Sequence, residues 1–238
     1  MSPNRSSNPV FVALDTPDLN RALALAQSVK PYVGGLKIGL EFITACGPQG
    51  VRKVVEIGLP VFADVKFHDI PNTVAGAARA LATLGAAIFN VHVAGGEAMM
   101  REAAAAARAI DPKVKVIGVT VLTSIDESVL EAVGQRGPTA DQVVRLAKLA
   151  KQSGLDGVVC SAHEIAALRK ACGADFLLVV PGIRPAGADL ADQKRVMTPA
   201  EAHRAGADIL VIGRPITSAA DPAAAAKAIA EELAAAVT

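Results

Sequence analysis

Short apolar runs alternate along the chain with longer, alanine-rich amphipathic segments. The runs lie at 10–15, 34–40, 59–67, 86–93, 114–123, 156–162, 176–184 and 208–214. Strand-like runs separated by helical segments predict parallel strands joined by right-handed helical crossovers. Eight such units in 238 residues favour a closed (β/α)8 TIM barrel over an open doubly wound sheet, since such barrels typically have about 250 residues.

Three helices are predicted to begin at an N-cap residue that is followed by proline, a combination favoured at helix starts. The N-cap residues are Thr16, Thr198 and Asp221. Gly206 has the position of a C-cap at the end of the second of these helices.

The chain shows no linker and no shift of composition, so we expect residues 1–238 to form one domain. Residues 1–8 are expected to be a flexible N-terminal extension. The two longest connections from a strand to a helix, 123–139 and 184–198, are lid candidates.

Composition and charge exclude several classes of partner. The apolar share is 52%, ample for a core, and the net charge of +1 gives no basic field for nucleic acid or a membrane surface. Six Phe and one Tyr are too few for a base-stacking platform. Cys46, Cys160 and Cys172 lack metal-ligand spacing, and no signal peptide or membrane span is evident. We therefore expect a soluble cytoplasmic protein with reduced thiols.

Polar side chains gather where the apolar runs end. They are Asp15, Lys37, Asp64, Lys66, His92, Thr123, Arg184 and Arg214. Active sites of TIM barrels lie at the C-terminal face of the strands, so this distribution predicts a site there.

The segment "FADVKFHDIPNTV" at 62–74 concentrates charge within a strand. Strand alternation places Phe62, Asp64 and Lys66 on one face, which predicts that both charges point into the barrel mouth. Lys37, on the neighbouring strand, is expected beside them. Opposite charges favour each other's ionised forms, so the pattern also fits an ion network without a catalytic role.

The eighth run ends in "VIGRPI" at 211–216, which is typical of a phosphate site. Gly213 allows backbone N–H groups to approach an anion, and Arg214 can bind it in a bidentate manner. The loop before it supplies Arg184 and Gln193. A glycine turn followed by a solvated arginine is the alternative interpretation.

Together, "ALD" (13–15), "LKIG" (36–39), "DVKFHDIPNTV" (64–74), "VLTS" (121–124), "PGIRP" (181–185) and "VIGRPI" resemble the motifs of the orotidine 5′-phosphate decarboxylase family. The resemblance covers nearly the whole chain and is closest to the bacterial form. It implies decarboxylation of orotidine 5′-monophosphate (OMP) to UMP, the last step of pyrimidine synthesis, without a metal or an organic cofactor.

The resemblance also implies roles for individual residues. Lys66 would protonate C6 as carbon dioxide leaves, Asp64 would lie near the substrate carboxylate, and Lys37 and Asp69 would complete a charged tetrad. The implied substrate contacts are Asp15, Lys37, Asp64, Lys66, Asp69, Ile70, Thr73, Thr123, Pro181, Arg184, Gln193, Gly213 and Arg214. A homodimer is implied in which Asp69 reaches the partner's site.

Two alternatives remain open. One is a magnesium-dependent sugar-phosphate lyase of the same superfamily, similar to 3-keto-gulonate-phosphate decarboxylase or hexulose-phosphate synthase. The other is a catalytically silent nucleotide-binding or interaction protein on the same barrel. For His68 we expect a surface or positioning role, and for His92 a place in the interior or in support of the site.

Overall fold

The computed structural model describes residues 8–185 and 197–236 and shows a closed barrel of eight parallel strands. The strands follow chain order, and β1 pairs with both β2 and β8. They are β1 (Val10–Ala13), β2 (Gly35–Gly39), β3 (Val61–Phe67), β4 (Ile88–His92), β5 (Lys115–Val119), β6 (Gly157–Val159), β7 (Leu177–Pro181) and β8 (Ile209–Ile212). Each strand lies within one of the predicted apolar runs, so the predicted TIM barrel is confirmed.

Helices follow the strands and cover the outside of the barrel. They are α1 (Leu19–Val29), α2 (Leu40–Val55), α3 (Pro71–Thr83), α4 (Gly96–Arg108), α5 (Glu127–Ala132), α6 (Thr139–Gln152), α7 (Ile165–Cys172), α8 (Pro199–Ala205), α9 (Arg214–Thr217) and α10 (Pro222–Ala235). No helix in the described part of the chain is both long and apolar enough to cross a membrane.

Two of the three predicted helix starts are confirmed, and the third is wrong. Thr198 and Asp221 cap α8 and α10, and α8 ends at Gly206 with φ of 114°. The N-cap of α1 is Asp18 and not Thr16. The Asp18 carboxylate accepts hydrogen bonds from the backbone N–H groups of Asn20, at 2.8 Å, and Arg21, at 3.2 Å. Thr16 lies outside the helix and accepts a hydrogen bond from the N–H of Asp18.

The alternation predicted for β3 divides its side chains between two apolar cores. Val61 and Ala63 belong to the outer core, which lies between strands and helices. Phe62 belongs to an inner cluster that fills the barrel below the C-terminal face. The members of this cluster are Phe11, Phe62, Ile88, Ile117, Val179 and Ile209. Because this cluster fills the barrel, its C-terminal end is a cavity with a floor and not a pore.

The expected extension and lids are described only in part. Residues 1–7 lie outside the described residues, and the Asn8 amide donates a hydrogen bond to the Tyr32 carbonyl at 2.8 Å. The lid candidate at 123–139 contains the short helix α5. Most of the candidate at 184–198 lies outside the described residues.

Arg169 on α7 fastens the end of the barrel opposite the predicted site. Its guanidinium donates hydrogen bonds to the carbonyls of Phe176, at 2.6 Å, and Gly206, at 2.7 and 3.0 Å, and it pairs with Asp208. Asp208 is only 8% exposed and also accepts a hydrogen bond from the Leu178 N–H at 2.8 Å. This cluster therefore joins α7, β7 and the turn that leads into β8.

We expect Arg169→Ala to lower the free energy of unfolding by about 3 kcal/mol or more, because it removes the guanidinium partner of a buried carboxylate. The matched control is Lys53→Ala, which breaks the exposed pair with Glu56 and should change that free energy by about 1 kcal/mol or less. Urea unfolding of both variants measures the difference. Equal losses in the two variants would contradict a structural role for the Arg169 cluster.

Candidate active site

The C-terminal end of β3 departs from regular strand geometry at Lys66. Ala63 pairs with Phe89 and Phe67 with Val91, so β3 advances four residues while β4 advances two. Lys66 has φ of 51° and is the only non-glycine residue with positive φ in the described ranges. An L-residue in the left-handed region costs about 1 kcal/mol or more, so other contacts have to hold this bulge.

Lys66 and Asp64 form an ion pair that a buried amide completes. The Lys66 Nζ lies 2.6 Å from the Asp64 Oδ1, and the two side chains are 30% and 20% exposed. The Nδ2 of Asn90, on β4, donates to the same Asp64 oxygen at 2.7 Å. The Oδ1 of Asn90 accepts a hydrogen bond from the backbone N–H of Lys66 at 2.7 Å. Asn90 and Asp64 therefore connect the backbone of Lys66 to its side-chain ammonium.

Lys37 forms a second ion pair on the adjacent strand. Its Nζ lies 2.6 Å from the Asp15 Oδ1; the Lys37 side chain is 8% exposed and that of Asp15 55%. Within the described ranges no ion pair joins Lys37 to Asp64, so the expected array of lysines and aspartates consists of two separate pairs. Gly39 lies beside Asp64 in the register of β2 and β3, and a Cβ at Gly39 would lie 3.2 Å from the Asp15 Oδ1 and 3.3 Å from the Lys37 Nζ.

The Lys66–Asp64 pair lies on the wall of a mainly apolar cavity of about 200 Å³. Its lining consists of Phe62, Asp64, Lys66, Val119, Val121, Leu122, Thr123, Val159, Cys160, Val179, Pro181 and Val211. Burial raises the pKa of the Cys160 thiol well above its ordinary value, so that group is neutral. Apolar walls lower the local dielectric constant, which strengthens the field of the ion pair inside the cavity.

Two histidines lie next to this pair. The rings of His68 and His92 have centroids 5.5 Å apart; His68 is exposed and His92 is half-buried at the end of β4. Burial lowers the pKa of His92, and the neighbouring His68 and Lys66 lower it further. His92 is therefore largely neutral at pH 7 and adds little positive charge beside Lys66. Its half-buried position beside Lys66 and Asp64 fits the expected place in support of the site.

Asp69, Ile70 and Thr73 lie exposed on the rim that follows β3. The Asp69 Oδ1 accepts a hydrogen bond from the Ile70 N–H at 2.6 Å, and no described cation of its own chain is paired with Asp69. Ile70 is 67% exposed. The single chain thus brings Asp64 and Lys66 together but leaves Asp69 at the edge of the site.

The predicted phosphate residues follow β7 and β8 at the same end of the barrel. Gly213 is the N-cap of α9, which begins at the exposed Arg214. Arg184 is 7% exposed, and its Nη1 donates a hydrogen bond to the Ile183 carbonyl at 3.0 Å. Neither arginine is among the described residues that line the cavity. Gln193 lies outside the described residues.

Two residues of this site were not predicted from the sequence. Asn90 lies at an inward-facing position of β4 and is buried. Strand alternation places it there, and a buried amide needs hydrogen-bond partners, so the sequence could have indicated a role for it. Gly39 leaves room for the Asp15–Lys37 pair. This role depends on how neighbouring strands pack, so the sequence alone does not indicate it. In the described part of the chain, no group of three or more His, Cys, Asp or Glu side chains is arranged to hold a metal ion.

Comparison with known proteins gives matches over nearly the whole chain. The sequence profile of the orotidine 5′-phosphate decarboxylase / HUMPS family matches residues 8–229. Orotidine 5′-phosphate decarboxylase of Moorella thermoacetica is 57% identical over 234 residues, which cover 96% of this chain and 93% of the relative. The protein of the same name from Paramagnetospirillum magneticum is 54% identical over 231 residues, covering 95% and 98%.

A solved structure gives the same result. The crystal structure of orotidine 5′-phosphate decarboxylase from Lactobacillus acidophilus matches with a TM-score of 0.86 at 40% sequence identity, covering 95% of this chain and 99% of the other. Because the family profile and these relatives extend over the barrel and both ion pairs, the chain belongs to the orotidine 5′-phosphate decarboxylase / HUMPS family.

Proposed function

We propose that this protein decarboxylates OMP to UMP and carbon dioxide, in the last step of pyrimidine synthesis, with Lys66 as the proton donor. The observation that carries the proposal is the Lys66 ammonium, held against Asp64 on the wall of an apolar cavity. The names of the relatives support the choice of substrate.

The chemistry needs a fixed positive charge next to C6. When the bond from C6 to the carboxylate breaks, its electron pair remains on C6, where no adjacent carbonyl can delocalise it. The Lys66 ammonium stabilises this charge and then transfers a proton from Nζ to C6, which forms the new C–H bond of UMP. The Asp64 carboxylate, 2.6 Å from Nζ, holds the Lys66 ammonium in place for this step. Lys66 therefore supplies the charge itself, and the proposal includes no metal or organic cofactor.

The remaining substrate contacts rest on the family resemblance and on the position of these residues at one end of the barrel. We assign the ribose hydroxyls to Asp15, Lys37 and Thr73, the pyrimidine edge to Thr123, and further contacts to Ile70 and Pro181. We assign the phosphate to Arg184, Gln193, Gly213 and Arg214. Phosphate binding is remote from C6, and its binding energy can order the charged groups and close the loops.

Protein treated with EDTA is expected to convert OMP to UMP. The change in ultraviolet absorbance measures this conversion. Lys66→Ala should lose at least about a thousandfold in kcat, because it removes both the proton and the fixed charge, and should still bind UMP. Lys53→Ala, at an exposed lysine, is the matched control with normal activity.

Activity that needs added magnesium and sugar phosphates would favour the lyase alternative. UMP binding by the wild-type protein without any turnover would favour the silent nucleotide-binding alternative. Near-normal turnover by Lys66→Ala would remove Lys66 as the proton donor.

Arg214→Ala is expected to raise KM for OMP by roughly a hundredfold, because a charge-assisted contact to the phosphate is lost. Its weak turnover of the phosphate-free nucleoside orotidine should stay as in the wild type. The control is Arg52→Ala, an exposed arginine on α2. Steady-state kinetics with both substrates measures the effect, and equal losses for OMP and orotidine would contradict the assignment to the phosphate.

We also propose a homodimer in which Asp69 completes the partner's charged tetrad. Three features of the rim support it. Asp69 is exposed without a paired cation among the described residues of its own chain, and Ile70 and Leu40, beyond β3 and β2, are 67% and 56% exposed. Exposed apolar side chains next to a site are typical of an interface.

Mixing two inactive variants tests the shared site. Lys66→Ala and Asp69→Ala should each be inactive, and a mixture that is unfolded and refolded together should regain about a quarter of wild-type activity, since half the dimers are mixed and each mixed dimer has one intact site. The control mixture is Lys66→Ala with itself. No recovery from mixed dimers that are shown to form would contradict a shared site.

The cellular setting follows from composition. We infer that the enzyme acts in the cytoplasm on a free nucleotide, with neither nucleic acid nor membrane as a partner. A net charge of +1 supports this, as do three cysteines that are free thiols.

A further inference from the structure

We propose that Asn90 is the positioning residue of the proton donor: its amide holds the backbone of Lys66 and the carboxylate of Asp64 in one arrangement. This inference rests on the proposed function. The Asn90 side chain is fully buried on β4 and is not among the described residues that line the cavity. It therefore acts through its two neighbours and not on the substrate.

The first half of the role concerns the backbone. Asn90 lies between Phe89 and Val91, opposite the stretch of β3 where the register shifts. The backbone N–H of Lys66 donates to the Asn90 Oδ1 at 2.7 Å, while Lys66 has φ of 51°. The side-chain oxygen thus replaces an acceptor that a regular strand pair would supply. Without it, the bulge that directs the lysine loses its hydrogen bond.

The second half concerns the carboxylate. The Asn90 Nδ2 donates at 2.7 Å to the Asp64 Oδ1, which is also the oxygen bound by the Lys66 Nζ at 2.6 Å. One side chain therefore fixes the lysine at its backbone and also fixes the group that holds its ammonium. An amide is suited to this position because it carries an acceptor and a donor in a single planar fork. Leucine has neither group, and aspartate has both only when it is protonated.

The surroundings of Asn90 make pH an informative variable. The titratable groups that face it are Asp64 and Lys66 on β3, with His92 and His68 beyond them, and its register partner on β5 is the apolar Ile117. His92 has a lowered pKa and stays largely neutral above pH 6.5. In Asn90→Asp, burial and the neighbouring Asp64 should raise the pKa of the new carboxyl.

The experiment compares Asn90→Leu and Asn90→Asp with the wild type, using kcat and KM for OMP from pH 6.5 to 9. For Asn90→Leu we expect kcat to fall about a hundredfold while KM stays within about threefold, because the donor is misplaced but the binding residues remain. For Asn90→Asp we expect kcat near the wild-type value at the acidic end and a loss as pH rises, since only the protonated carboxyl reproduces both hydrogen bonds.

The control is Ser153→Ala, which removes a buried hydrogen bond to the Leu149 carbonyl at the end of α6, outside the cavity lining, and should leave kcat as in the wild type at every pH. Turnover by the wild type verifies the proposed function separately, so failure of the two ideas is distinguishable. The inference is overturned if Asn90→Leu keeps kcat within threefold, or if Asn90→Asp follows the wild-type pH profile. It is also overturned if neither variant folds, as judged by UMP binding, because the amide would then serve the barrel and not the donor.

Discussion

The ion pair between Lys66 and Asp64 determines what the rest of the barrel has to provide. Both charges lie on the wall of an apolar cavity, where an unpaired charge would be strongly destabilising. The inner cluster around Phe62 closes the barrel beneath them, so the cavity has a fixed floor. The bulge at Lys66 and the amide of Asn90 then fix the orientation of the pair. Packing, backbone geometry and hydrogen bonding therefore all help to fix the position of the Lys66 ammonium.

The geometry bears on how the ion pair would act in the proposed decarboxylation. Two like charges 4 Å apart interact with about 4 kcal/mol at an effective dielectric constant of 20, which would be worth about a thousandfold in rate if it were fully relieved. The Asp64 Oδ1, however, already accepts hydrogen bonds from Lys66 and Asn90. Much of its charge is thus offset before a substrate carboxylate arrives. In the proposed mechanism, attraction between the Lys66 ammonium and the charge that develops at C6 would therefore be the larger contribution.

A feature could be predicted from the sequence where the interactions that cause it are between residues close together in the chain. The strands, and the inward direction of Asp64, follow from local alternation, which the sequence displays directly. The bulge at Lys66 could not be predicted in this way, since it arises from the register with β4. The N-cap of α1 was misplaced because Thr16 and Asp18 are both good caps, and only the path of the chain selects Asp18. The proposed phosphate residues lie beyond strand ends, where alternation carries no information; they were predicted from the glycine–arginine pattern at 213–214 and its neighbouring loop, and the family resemblance agrees.

The two ends of the proposed substrate would meet different kinds of structure. The proposed chemistry involves β3 and β4, whose side chains are held by the barrel, whereas Arg214 and Thr123 follow strand ends in exposed segments. Strands hold a proton donor accurately, and loops can close over a phosphate after it binds. Asp69 belongs to neither group, because it lies on the rim with no paired cation in the described part of its chain. In the proposed dimer a second subunit would bring this carboxylate to Lys66, so the charge balance of the site would link its chemistry to its assembly.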